Sequence, residues 1–373
     1  MRLSRGSRWF LAFGLLMVAG LAAGVWYLDT EVFSASVEPG QPVDYTVQRG
    51  ASVRFVGDEL VELGVVRSSF RFRSAAEEVD LEEVLQPGQF ELETGMSHEE
   101  AVAVLAAGPL APPSIRFTVP EGLTVAQTLE RLAEQFPAHE VADYEEVLAA
   151  RRAVDLEDED VSFAGLLRIP EWVPDPAGVA AELEAFEGLL WPQTYEVEDT
   201  ATAQQVLQRM INQLDVELAA VPDELREGVE DDDLYDVLIT ASLIERETRV
   251  DEERRLVAGV ISNRLEDGLR LQIGATVVYA LGGGPRDIVL FEDLEIDSPY
   301  NTYLIDGLPP TPISGVGTAS FQAAFDPAET DFLFYVLAPE CDGTHVFAET
   351  FEEHQVNVED FRENNRCQGD QIG

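Results

Sequence analysis

Apolar residues along this chain follow three rhythms, and each predicts a different kind of element. The first is an unbroken run, Trp9–Leu28, that carries no charged side chain. As a helix, roughly twenty residues at 1.5 Å each span a hydrocarbon layer of about 30 Å. Trp9 and Trp26-Tyr27 stand at its two ends, where amphipathic rings favour the membrane interface. Arg2, Arg5 and Arg8 precede the run, and Asp29 and Glu31 follow it. That asymmetry predicts a single-pass anchor in the cell (plasma or inner) membrane, with a cytoplasmic N-terminus and an extracytoplasmic remainder. A cleaved signal peptide is the competing reading, because Ala19–Ala23 holds small residues that suit a peptidase. The length of the run favours the anchor.

The second rhythm is alternation over short segments, which predicts strands after Tyr45, over Gln86–Leu92 and over Ile115–Val119. The third has helical spacing. It appears after Arg49-Gly50, in Ser97–Ala107, in Glu121–Leu132 with Thr124 as cap, in Ala201–Ala219, and most clearly in Asp232–Ala280. In that last stretch Leu234, Leu238, Ala241, Glu245 and Thr248 fall on one helical face. Glu247 lies about 200° around the helix from Glu245, so the two carboxylates point to nearly opposite sides. A second helix, Asp251 to about Asp267, has Leu256, Val260, Ile261 and Leu265 at core spacing, with Gly268 as its C-terminal stop.

Short strands and helices in irregular order predict an α+β fold rather than a doubly wound sheet. The expected divisions are a cytoplasmic tail (1–8), the transmembrane helix (9–28), a stalk (29–42), a small module (43–110), an intermediate subdomain (111–225), a mixed α+β catalytic domain (226–364) and a tail (365–373). Gly108–Pro113 reads as a stiff linker, and Arg151–Ala185 as acidic and rich in loops.

Composition narrows the function. The chain of 373 residues carries 71 acidic and 24 basic residues, for a net charge of -47, and every basic residue is Arg. Nothing in that balance would neutralise phosphates, so nucleic acid is excluded as a partner. A heavily solvated surface is the plain reading, and adaptation to a salty medium the narrower one. Cys341 and Cys367 could pair outside the cytosol or stay as free thiols. No histidines accompany them at metal-ligand spacing, and His98-Glu99 lacks a second His four residues on, so neither metal nor cofactor is expected.

Several motifs occur in a fixed order: Glu245-Arg-Glu247-Thr248, Ser262–Leu265 (SNRL), Leu269–Gln272 (LRLQ), Ser298–Tyr303 (SPYNTY) and Gly307–Ile313 (GLPPTPI). They continue through Ala323–Phe334, His345–Phe347 and His354. Together they resemble the YceG-like family of endolytic murein transglycosylases, over about Val43 to Phe361. The resemblance implies a membrane-anchored lytic transglycosylase. Such an enzyme cleaves the MurNAc–GlcNAc bond of nascent peptidoglycan glycan strands, leaves 1,6-anhydroMurNAc ends, and ends glycan elongation beside the cell-wall synthases. It also implies that one glutamate serves first as acid and then as base. Such an acid calls for a partly apolar wall, which keeps the proton on.

Helical spacing favours Glu245 for apolar burial, whereas the family pattern places the catalytic residue at Glu247. A carboxylate in the packing stripe would face the core, so Glu247 is preferred. Glu245 is then expected to be a buried carboxylate paired with Arg264 or Arg270. Asn263, Arg264, Gln272, Tyr300, Asn301, Thr302 and Tyr303 are candidate substrate-binding residues, each with helix capping or loop bracing as its plainer role. His345 either lines the groove or is structural. The segment from Tyr45 is similar to the start of a LysM-like module, and Phe186–Tyr195 resembles a family segment in which Trp191 and Tyr195 either stack on sugars or fill the core. Two departures stand out: Ile273-Gly-Ala275 where the family has an Asp, and Ile313-Ser-Gly-Val-Gly317 without the usual proline. The first supports the alternative of a non-catalytic, membrane-anchored wall-binding or scaffolding protein.

Overall fold

The computed structural model describes residues 38–153, 166–174, 183–283 and 289–364, besides the isolated positions 17 and 20. The expected membrane helix, most of the stalk and the C-terminal tail therefore lie outside the described residues. Among the described residues no helix is long and apolar enough to cross a membrane. The chain divides into two compact units, Met1–Pro113 and Ser114–Gly373.

In the first unit β1 (Pro42–Val47) pairs antiparallel with β2 (Gly88–Glu93), in a register that sets Pro42 opposite Glu93 and Val47 opposite Gly88. Alternation works as the sequence predicts: Tyr45, Val47, Phe90 and Leu92 are buried, while Asp44, Thr46, Gln89 and Glu91 face out. Three helices, α1 (Val53–Glu62), α2 (Ser69–Glu78) and α3 (Leu81–Val84), connect the strands, and α4 (His98–Ala106) follows. Their inner faces bring Val56, Leu60, Phe72, Leu81 and Leu105 into one core with the strands. Ser97 opens α4 through a capping box with Glu100, which satisfies backbone amides that the first turn leaves unpaired.

The second unit is also mixed α+β. Strands β3 (Ser114–Thr118) and β4 (Thr194–Glu198) pair antiparallel across a long insertion that contains α5 (Val125–Gln135) and α6 (Val141–Arg152). Then come α7 (Ala203–Ala220), α8 (Asp223–Arg226), α9 (Leu234–Glu247), α10 (Arg254–Glu266), α11 (Gly274–Ala280) and α12 (Thr318–Phe325). A hairpin of β5 (Phe334–Leu337) and β6 (His345–Ala348) and the helix α13 (Phe351–Asn364) complete it. Cys341, in the turn of that hairpin, is disulfide-bonded.

Helix α9 is the axis of this unit. Leu234, Leu238 and Ala241 belong to a core that draws on residues from Phe117 to Phe325, on both sides of position 225. Leu243 and Ile244 belong to a second core with Val257, Ile261, Leu271 and Ile313. A helix whose buried residues are divided between two cores is central to the unit that holds them. Trp191 and Tyr195 lie in the first core and not at a sugar site. Trp191 is 1% exposed and packs edge-on against Phe321, and the Tyr195 hydroxyl donates to the Trp191 carbonyl at 2.7 Å.

Helix α10 reaches its neighbours through Gly259, where an added Cβ would lie 2.5 Å from the Ala328 carbonyl oxygen. The same strand of chain is fixed by Ala328 N–H donating to the Arg255 carbonyl. Alanine gains about 1 kcal/mol over glycine in an open helix, but overpacking against backbone costs about 1–3 kcal/mol. Gly259→Ala is therefore expected to lower the denaturation midpoint; a rise would show that the Ala328 segment yields freely.

Candidate active site

The polar end of α9 carries two glutamates that the structure sends to different places. Glu245 turns toward α12, where its carboxylate accepts from Ser320 Oγ at 2.7 Å and from Gly317 N–H at 3.2 Å. Arg254 lies 3.4 Å away, and both side chains are buried. Arg254 also donates to Asp251 and to Thr248 Oγ1. Glu245 is the buried carboxylate that the helical spacing predicts, but its cation is Arg254 rather than Arg264 or Arg270. Those two are engaged elsewhere: Arg264 by the carbonyls of Arg270 and Leu333 and by Gln272, Arg270 by Asp306.

Glu247, the last residue of α9, lines a cleft of about 540 Å³. One carboxylate oxygen accepts from the Ala275 amide at 3.2 Å, the other from the Tyr335 hydroxyl at 3.1 Å. The cleft walls mix apolar side chains, among them Val260, Leu271, Leu333 and Leu337, with Arg246, Arg264, Gln272 and Tyr303. Burial, reinforced by the Glu247 charge, pushes the Tyr335 phenol well above its ordinary value, so it stays a donor. Tyr303 is raised for the same two reasons, and burial draws the Arg264 guanidinium down.

Of the residues predicted for the substrate, Arg264, Gln272 and Tyr303 line this cleft with Glu247. Arg264 donates to Gln272 Oε1 at 2.8 Å and lies 5.3 Å from the Phe334 ring centre. Gln272 adopts a left-handed backbone, φ +52°, with its amide bonded to the Thr302 carbonyl. The others take bracing roles. Asn263 donates to the Thr330 and Phe332 carbonyls, and Asn301 to those of Leu294 and Ile296. Thr302, fully buried, accepts from the Ile273 amide.

Tyr300 bonds Thr311 through its hydroxyl and lines a second cleft, of about 510 Å³. That cleft contains Glu187, whose carboxyl burial pushes up to about 8 although Val125 N–H and the Tyr279 hydroxyl both donate to it.

His345 lines the first cleft and is also satisfied structurally, by Glu253 at 2.8 Å. His354 stacks on Phe334, and burial first, then Arg264, lowers its pKa. Sequence reasoning missed Tyr335, one residue past the Ala323–Phe334 motif, and the Ala275 amide, which no side chain announces. The Ile273-Gly-Ala275 segment thus offers Glu247 an N–H where a second carboxylate was in question. Among the described residues no cluster of His, Cys, Asp and Glu is arranged to hold a metal.

A sequence profile of the YceG-like family matches residues 45–360. The chain belongs to the YceG-like family. It is 27% identical over 362 residues to an endolytic murein transglycosylase of Streptococcus pneumoniae, covering 94% of this chain and 64% of that protein. The endolytic murein transglycosylase of Bacillus subtilis is 29% identical over 322 residues, 86% of this chain and 84% of its own length. A solved yceG-like protein from Listeria monocytogenes superimposes with a TM-score of 0.55 at 30% identity, covering 85% of this chain and 99% of that one. This YceG-like chain thus spans 64% of the length of the streptococcal relative.

The protonated Glu187 makes stability depend on pH. Its folded-state pKa of about 8 exceeds the ordinary 4.5, so the folded chain holds a proton that the unfolded chain has lost between those values. Stability from this group is complete below the ordinary carboxyl range and falls as pH rises toward about 8. Denaturation at pH 5 and pH 8 should show a loss on the order of a few kcal/mol, and Glu187→Gln should flatten the difference.

Proposed function

We propose that this chain is an endolytic peptidoglycan lytic transglycosylase that cleaves the MurNAc–GlcNAc bond with Glu247 as both acid and base. The observation that carries this reading is the carboxyl content of the cleft: among the described residues lining it, Glu247 is the one carboxyl group. A hydrolase of the ordinary kind needs two carboxylates, one of them to activate water or to act as nucleophile. A reaction that uses the sugar's own hydroxyl needs one.

In this mechanism the Glu247 carboxylic acid gives its proton to the glycosidic oxygen, and the bond from that oxygen to C1 of MurNAc breaks. The carboxylate then takes the proton of the same sugar's C6 hydroxyl as that oxygen bonds C1. The 1,6-anhydro ring closes, no water enters, and the acid is restored. The Tyr335 hydroxyl and the Ala275 amide stand where they stabilise the carboxylate between the two proton transfers. Arg264, Gln272 and Tyr303, which line the same cleft, are the side chains we assign to the sugar hydroxyls.

We assign the anchor to Trp9–Leu28, which puts both units outside the cytoplasm, beside cell-wall synthases whose nascent strands the enzyme would terminate. The disulfide at Cys341 supports an oxidising surrounding. The first unit, with its strand–helix–strand order, is read as a LysM-like module.

The test is digestion of purified peptidoglycan by the full chain in detergent, with products read by mass spectrometry. Anhydro-muropeptides are expected from the wild type, and Glu247→Gln should reduce them about 10²–10⁴-fold. Glu245→Gln should still form them while unfolding more readily. Wild-type protein that binds peptidoglycan without forming product would favour the scaffold reading, and reducing-end products without anhydro rings would mean hydrolysis. Tyr335→Phe separates support from chemistry: product formation should fall about tenfold, the effect of losing roughly 1.4 kcal/mol of hydrogen bonding to a charged group.

A further inference from the structure

The second cleft opens at the other end of α11 from Glu247. Ala275, in the first turn of that helix, donates to Glu247, whereas Tyr279 and Ala280, in its last turn, line the second cleft. Four residues of helix separate the two places by about 6 Å along the axis. One short helix therefore borders both.

The second cleft is built to be specific. Glu187 forms part of its wall and ties two elements together, accepting from Val125 N–H at 3.0 Å and from the Tyr279 hydroxyl at 3.2 Å. Tyr279 and Tyr300 meet edge to face with ring centres 4.8 Å apart. Thr124 and Ser298 add hydroxyls. Aromatic rings beside hydroxyls and a carboxyl suit a sugar, which presents C–H faces to rings and O–H and N–H groups to polar atoms. No Arg lines the cleft among the described residues, and Glu184 stands in its wall. A phosphate or a peptide carboxylate would meet repulsion there. Two motifs that the reaction at Glu247 leaves unused, Glu187-Gly188 and Ser298-Pro-Tyr300, converge on this place.

We propose that the cleft between Glu187, Tyr279 and Tyr300 is a subsite for a neutral N-acetylated amino sugar of the strand being cut at Glu247. The proposal rests on the transglycosylase reading and adds to it: cleavage inside a strand requires that the strand be held beyond the sugars at the broken bond.

Ala126 gives a test that leaves the core alone, because it is exposed at the edge of the cleft. Ala126→Trp should fill the space. With the full chain in detergent, KM is measured for long uncross-linked glycan strands and for fragments too short to reach from Glu247 to Tyr279. The wild-type advantage of long strands over short ones is expected to shrink about tenfold in Ala126→Trp, which corresponds to about 1.4 kcal/mol. An unchanged ratio overturns the subsite. A parallel titration of the Glu247→Gln chain with N-acetylglucosamine oligomers reads binding without turnover. Ala126→Trp should weaken that binding, and equal affinity overturns the proposal even if activity is altered. Should the wild type form no anhydro product while Ala126→Trp still weakens oligomer binding, the reaction assigned to Glu247 is wrong and the sugar site stands.

Discussion

Everything at the candidate site depends on one carboxylate held by two donors from distant parts of the chain. Glu247 ends α9, Ala275 lies in the first turn of α11, and Tyr335 comes from the β5–β6 hairpin. A charged acceptor is worth more to such donors than a neutral one, so the side chain that does the proposed chemistry also gathers the walls of its own cleft. The apolar core beneath, from Leu243 and Ile244 to Leu271 and Ile313, sets these elements at the distances where both bonds can form.

The division of labour between the two glutamates follows from helix geometry. Side chains two positions apart on a helix leave its axis in nearly opposite directions. In α9 one direction meets α12 and Arg254, and the other meets a cleft walled by α11 and the β5–β6 hairpin. Glu245 is an interior ion that needs its cation, because a buried charge without a partner is strongly destabilising. Glu247 has neutral donors and a solvent-facing side. The Ile273-Gly-Ala275 segment carries no carboxylate and contributes to this arrangement through its backbone.

Much of this was legible in the sequence, and the failures have physical causes. Helices and their caps are local, so Thr124 and Gly268 could be assigned from neighbours alone. The opposite placement of Glu245 and Glu247 followed from 3.6 residues per turn. The partner of Glu245 did not, because which arginine faces a helix depends on how two helices pack. Trp191 and Tyr195 were ambiguous, since a large ring with a polar atom serves a core and a sugar site equally well. Asn263, Asn301 and Thr302 look like ligands in sequence, but irregular loops contain carbonyls and amides that need partners, and these side chains supply them. The Ala275 amide had no residue-type signal at all.

The β5–β6 hairpin pairs only four residues on each strand, and pieces of sheet that small are marginal by themselves. A covalent link at Cys341, in its turn, restrains the very segment that supplies Tyr335. Such a link does not persist where thiols are kept reduced. The firmness of the cleft around Glu247 is thereby coupled to the redox character of its surroundings.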